Sequence, residues 1–77
     1  MKTLDVRGLS CPEPVLRARR AIAGLAAGED LEVLVETATA RENVLRAARS
    51  MGCAVEIEDR AGGYRLLVRP AKGNSLQ

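Results

Sequence analysis

The residues of this 77-residue sequence best suited to nucleophilic chemistry are two thiols, Cys11 and Cys53. A thiolate attacks sulfur without a general base, and does so most readily where its surroundings favour the anion. Cys11 stands in Ser10-Cys11-Pro12-Glu13-Pro14, ahead of an amphipathic run, so it falls at or just before a helix N-terminus. There the positive end of the helix dipole favours the thiolate. Pro12 and Pro14 fix the local backbone but delete two amide donors, leaving chiefly the Glu13 and Val15 amides to face an anion. Glu13 adds an opposing charge, so a modest lowering of the thiol pKa is expected. The same five residues also describe a capped helix start with Cys11 as a small buried apolar residue. Exposure separates the two readings.

Cys53 lies in Gly52-Cys53-Ala54, at a junction where a small apolar residue suits a core. The alternative is a second, resolving thiol for Cys11, which would need the two Cα atoms within about 7 Å.

The rest of the composition narrows the field. With no histidine, no Ser–His or Cys–His pair can form within the chain. Two cysteines and no histidine cannot make an ordinary four-ligand structural zinc site, and no cofactor site is expected. Tyr64 is the single aromatic, which denies the chain a base-stacking platform. A net charge of +2 is small for an electrostatic nucleic-acid binder, so direct nucleic-acid binding is disfavoured. No segment approaches the roughly 20 apolar residues of a membrane span, and MKTLDVRGLS lacks the apolar run of a secretory leader. Two cysteines do not make a disulfide scaffold, so a cytoplasmic setting is expected.

The elements that must position Cys11 follow from periodicity. Leu4 and Val6 alternate with Thr3, Asp5 and Arg7 as a first strand, and Gly8 punctuates it. Ser10 and Glu13 have capping-box spacing, and Val15, Ala18, Ile22 and Leu25 form one stripe of a helix expected to end at Gly28. Leu31, Val33 and Val35 mark a second strand, with Leu34 breaking the alternation. Thr39 and Glu42 again have capping spacing, opening a helix whose stripe is Val44, Ala48 and Met51, supported by Leu45, with Gly52 as its stop. Val55 and Ile57, then Gly62-Gly63, then Tyr64, Leu66 and Val68 read as a β-hairpin. The order βαβαββ, with one apolar stripe per helix, predicts an α/β (α+β) two-layer sandwich. In it two helices cover one face of a four-stranded mixed sheet, and the first two strands run parallel through a right-handed crossover. Residues 1–70 form a single domain, and 71–77 read as a flexible polar tail.

The stretch LDVRGLSCPEPVLRARRAI resembles the N-terminal motif of the TusA-like (SirA/YedF-like) sulfur-carrier family, in which a strand and a Cys-Pro-x-Pro turn lead into a helix. The likeness runs from Leu4 to Val68 in element order and spacing. It implies that Cys11 carries sulfur as a persulfide, framed by Gly8, Pro12, Glu13 and Pro14. It further implies a sulfur donor protein, a cysteine desulfurase or rhodanese-like enzyme, and a sulfur acceptor protein in tRNA thiolation, sulfur or selenium metabolism. Ala40-Arg41-Glu42-Asn43-Val44 and Gly52-Cys53 are most similar to the branch linked with selenium. A persulfide relay needs no base in the carrier, which suits a chain without histidine. Asp5 and Arg7 precede the motif and could shape the approach to it.

Arg17, Arg19 and Arg20 stand against Glu13 on the first helix, and Arg41, Arg46 and Arg49 against Glu42 on the second. The helical layer is therefore positive, which suits steering toward an acidic face on a partner, although helix surfaces are ordinarily charged. The rival function is a non-catalytic interaction or regulatory module that uses this basic face, with Cys11 merely structural.

Overall fold

The computed structural model describes residues 2–10, 12–26 and 28–70. Cys11 and the expected tail, 71–77, lie outside the described residues. The elements are β1 (Lys2–Asp5), α1 (Glu13–Ala23), β2 (Leu31–Val35), α2 (Ala38–Ser50), β3 (Cys53–Arg60) and β4 (Gly63–Pro70). This is the expected βαβαββ order. The strands form one sheet in the order β1-β2-β4-β3, with β1 parallel to β2 and the other pairings antiparallel.

Alternation decides which face each residue takes. Leu31, Val33 and Val35 of β2 are buried with Leu66 and Val68 of β4, their cross-strand neighbours, beneath Ala18 and Ile22 of α1 and Val44 and Ala48 of α2. The opposite face is polar: Thr3 Oγ1 donates to Glu32 Oε1 at 2.9 Å, and Glu32 pairs with Arg65, which also lies 3.6 Å from Glu58. Leu34 and Leu67 are the two apolar residues of that face that break the alternation, and they sit side by side with these long charged chains. Toward the hairpin β3 is an exposed sheet edge, and Ile57 there stays exposed.

Three local boundaries differ from the sequence reading. First, α1 stops at Ala23 rather than near Gly28, because Gly24, a poor helix former, closes it through its amide to the Arg20 and Ala21 carbonyls. Gly28, at φ +80°, instead turns the chain toward β2, while Leu25 still packs on the core. Second, α2 opens two residues earlier than expected, with Thr37 as the cap: its Oγ1 accepts the Ala40 amide at 3.0 Å. Third, the stripe of α2 buries Val44, Ala47 and Ala48, whereas Met51 is the exposed C-cap.

Gly63 is held by close approach. A Cβ there would overlap the Val35 carbonyl oxygen and come within 2.9 Å of the Glu36 Cα. No side chain larger than hydrogen fits.

Candidate functional site

Because β1 and β2 are parallel and each is followed by a helix, both helices start at the same end of the sheet, beyond the C-terminal ends of β1 and β2. The segment between β1 and α1 is therefore placed at the end of the sheet where α2 also begins. Its approach is organised locally. Asp5 Oδ1 accepts the Arg7 amide at 3.0 Å and Arg7 Nε at 2.9 Å, while Oδ2 lies 2.8 Å from Arg7 Nη2. These bonds to Arg7 hold the Asp5 carboxyl at a pKa of about 2, well below the usual range. Val6 is buried in the core and its amide bonds the Leu34 carbonyl at 3.0 Å, so the strand end is anchored.

Gly8 then reverses the chain at φ +83°, a region few other residues enter. Its amide donates to Glu36 Oε1, joining the loop to the residue just after β2. Leu9 and Ser10 are exposed, and so are Pro12 and Glu13 on the other side of position 11. Pro14 is buried.

The N-terminus of α1 is not built as its spacing suggested. Pro12 occupies the cap position with no side-chain cap bond. The Glu13 amide is bonded at 2.8 Å to the backbone carbonyl of Ser10, so the turn is closed by main chain where a hydroxyl was expected. Glu13's carboxylate reaches forward to Arg17 Nε at 3.3 Å rather than back to Ser10. Two consequences follow for an anion at this end. The Glu13 amide is already engaged, which leaves fewer donors, and Arg17 offsets much of the Glu13 charge.

Beside this turn the helices leave an opening. A cavity of about 70 Å3 is lined by Leu9, Pro14, Val15, Thr37, Thr39, Ala40 and Asn43. It shares Val15 and Asn43 with a groove of about 420 Å3 along the outer seam of the helices, lined by Pro12, Arg19, Arg46, Ala47 and Ser50 as well. Thr37 and Glu36 were not singled out by sequence, and Asn43 entered only within the Ala40–Val44 segment with no site role, because each meets the loop only through the parallel strand pairing.

Cys53 begins β3 just after α2 ends, at the end of the sheet opposite to the one where α1 begins. It is buried in the core, and desolvation pushes its thiol pKa above the ordinary value. The structure brings Gly8, Pro12, Glu13 and Pro14 together and leaves Cys53 apart from them. Tyr64 sits at the margin of the core, with the Arg41 guanidinium 4.6 Å from its ring centre. Among the described residues no group of three or more His, Cys, Asp or Glu is gathered where it could hold a metal ion. None of the described helices is long and apolar enough to cross a membrane.

The sequence model of the family described as "Sulfurtransferase TusA" matches residues 2–70. The chain belongs to the TusA family. A relative from Methanocaldococcus jannaschii that bears the name "Putative sulfur carrier protein" is 39% identical over 70 residues, covering 90% of this chain and 93% of its own. One of the same name from Halobacterium salinarum is 40% identical over 74 residues, covering 92% of this chain and 90% of its own. The crystal structure of a SirA-like protein from Desulfitobacterium hafniense superposes with a TM-score of 0.81 at 35% identity, covering 95% of this chain and all of that one. The role of this TusA-family chain is thus in sulfur transfer, as a sulfur carrier.

Proposed function

We propose that the chain carries sulfane sulfur as a persulfide on Cys11, taking it from a donor protein and passing it to an acceptor protein. The observation that carries this reading is family membership over residues 2–70, with Cys11 alone of the two thiols falling in the Cys-Pro-x-Pro segment at the start of α1. Exposure of Ser10 and Pro12 on either side supports it, since a sulfur-exchanging partner must reach this turn. Burial of Cys53 supports the same choice, because a desolvated thiol resists ionisation.

In each transfer the Cys11 thiolate attacks the outer sulfur of a donor persulfide. The S–S bond of the donor breaks, its cysteine leaves as a thiolate, and a new S–S bond forms on Cys11. Passing sulfur onward repeats the step with the roles exchanged, so no oxidant or reductant is consumed. The product persulfide is more acidic than a thiol and gains from the positive end of α1. The carrier needs no base of its own, in keeping with a chain that has no histidine.

The test is intact mass after incubation with a cysteine desulfurase and cysteine, and separately with inorganic polysulfide. Wild type gains one sulfur atom, and Cys11→Ser gains none. Equal labelling of both proteins overturns the assignment to Cys11. Labelling of neither by any donor favours an interaction module that uses the helical face.

A further inference from the structure

The six arginines of the two helices do not share one environment. Arg17 is paired with Glu13 and Arg41 with Glu42, each along its own helix. Arg19 and Arg46, both exposed, form no ion pair among the described residues, and they flank the same groove. Its floor is apolar and low, made by Val15, Ala47 and the Pro12 ring, with the Asn43 amide where it meets the inner cavity. No carboxylate of a described residue lines it. The open face of the sheet is the reverse case, where Arg65 is paired with both Glu32 and Glu58 and Arg60 with Glu58. The groove begins at Pro12, one residue from position 11.

We infer that the seam between α1 and α2 is a docking groove for an acidic, partly apolar segment of a protein that exchanges sulfur with this chain, gripped by Arg19 and Arg46. The small side chains of the floor admit an apolar residue of the segment, and carboxylates on either side of that residue meet the two guanidinium groups. Arginine suits this task because its planar fork takes a carboxylate through two parallel bonds. Two cations with no ion pair among the described residues, one on each helix, also make encounter faster at low salt. The inference rests on the carrier reading for the identity of the partner, while the binding chemistry stands on the groove alone.

The test uses the full chain and a fluorescent peptide of alternating glutamate and leucine as probe, with binding read by anisotropy. Wild type and Arg69→Glu, a charge reversal on the far face of the sheet, should bind alike. The double variant Arg19→Glu/Arg46→Glu should bind at least about tenfold more weakly. Arg19→Ala/Arg46→Ala, which only removes charge, should lie between. Circular dichroism confirms that each variant is folded. Equal binding by all four proteins overturns the groove, as does the absence of binding to wild type. So does arginine-dependent binding of a single-stranded RNA of the same charge that matches or exceeds the peptide's, which would assign the seam to nucleic acid. Mass gain from polysulfide in the same proteins reports separately on Cys11. Its failure would sink the carrier reading and leave the peptide result standing.

Discussion

The Gly8 amide donates to the carboxylate of Glu36, linking the turn before α1 to the residue that follows β2. The two residues are 28 apart in sequence and meet only because β1 and β2 are parallel neighbours. Removing the acceptor should free one end of the turn. In Glu36→Ala the Gly8 amide proton should exchange severalfold faster, with a loss of about 1 kcal/mol in urea unfolding, the usual worth of one such bond. Glu32→Ala, which alters the opposite face, should leave Gly8 exchange unchanged. Unaltered exchange in Glu36→Ala would show that the bond does not hold in solution.

The start of α2 offers a choice between two threonines. Thr37 accepts the Ala40 amide, and Thr39 lies inside the helix beside the interhelical cavity. Thr37→Ala should therefore cost about 1 kcal/mol of stability, as loss of a hydroxyl cap typically does. Thr39→Ala should change stability far less. The reverse ranking, measured by urea denaturation, would return the cap to Thr39.

The two thiols should differ in reactivity. Burial raises the Cys53 pKa above 9.0, so at neutral pH its thiolate population is small and hidden. Native protein treated with iodoacetamide should be labelled at Cys11, with Cys53 reacting only once denaturant is added. Because the folded pKa is raised, this thiol favours the native state most below 9.0. That contribution declines as the pH rises from there toward the folded value. Faster labelling of Cys53 in the folded protein would contradict the core placement.

Asp5 should report on acid conditions. Its folded pKa of about 2 lies below the ordinary aspartate value of 3.8, so its pairing with Arg7 stabilises the fold above 3.8. That help is lost as the pH falls through about 2. Carboxyl NMR should give an Asp5 midpoint near 2, returning toward 3.8 in Arg7→Gln. An unmoved midpoint in the variant would assign the shift to something other than Arg7.

Most of the fold was legible because aliphatic alternation and helical stripes coincide with the sheet's covered face. Val33, Val35, Leu66 and Val68 are buried where their spacing put them. Capping was less legible. A short polar residue at capping spacing lies before the true start of α1 (Ser10) and another after that of α2 (Thr39), and spacing cannot tell whether Ser10 closes the turn with its hydroxyl or its carbonyl. At the candidate site, the motif fixed the place along the chain. The surroundings come from the link between β2 and α2 (Glu36 and Thr37) and from α2 itself (Asn43), and only the parallel pairing carries them to the turn. Ile57 shows the limit of alternation: it points to the covered side but lies on the sheet edge, where it stays exposed.

The main-chain contact at Gly63 has a mechanical outcome. The base of the hairpin lies against the exit of β2, backbone upon backbone, with no side chain between them to yield. A side chain introduced at that joint would therefore push apart the hairpin and the strand leading to Glu36, the residue that holds the Gly8 turn.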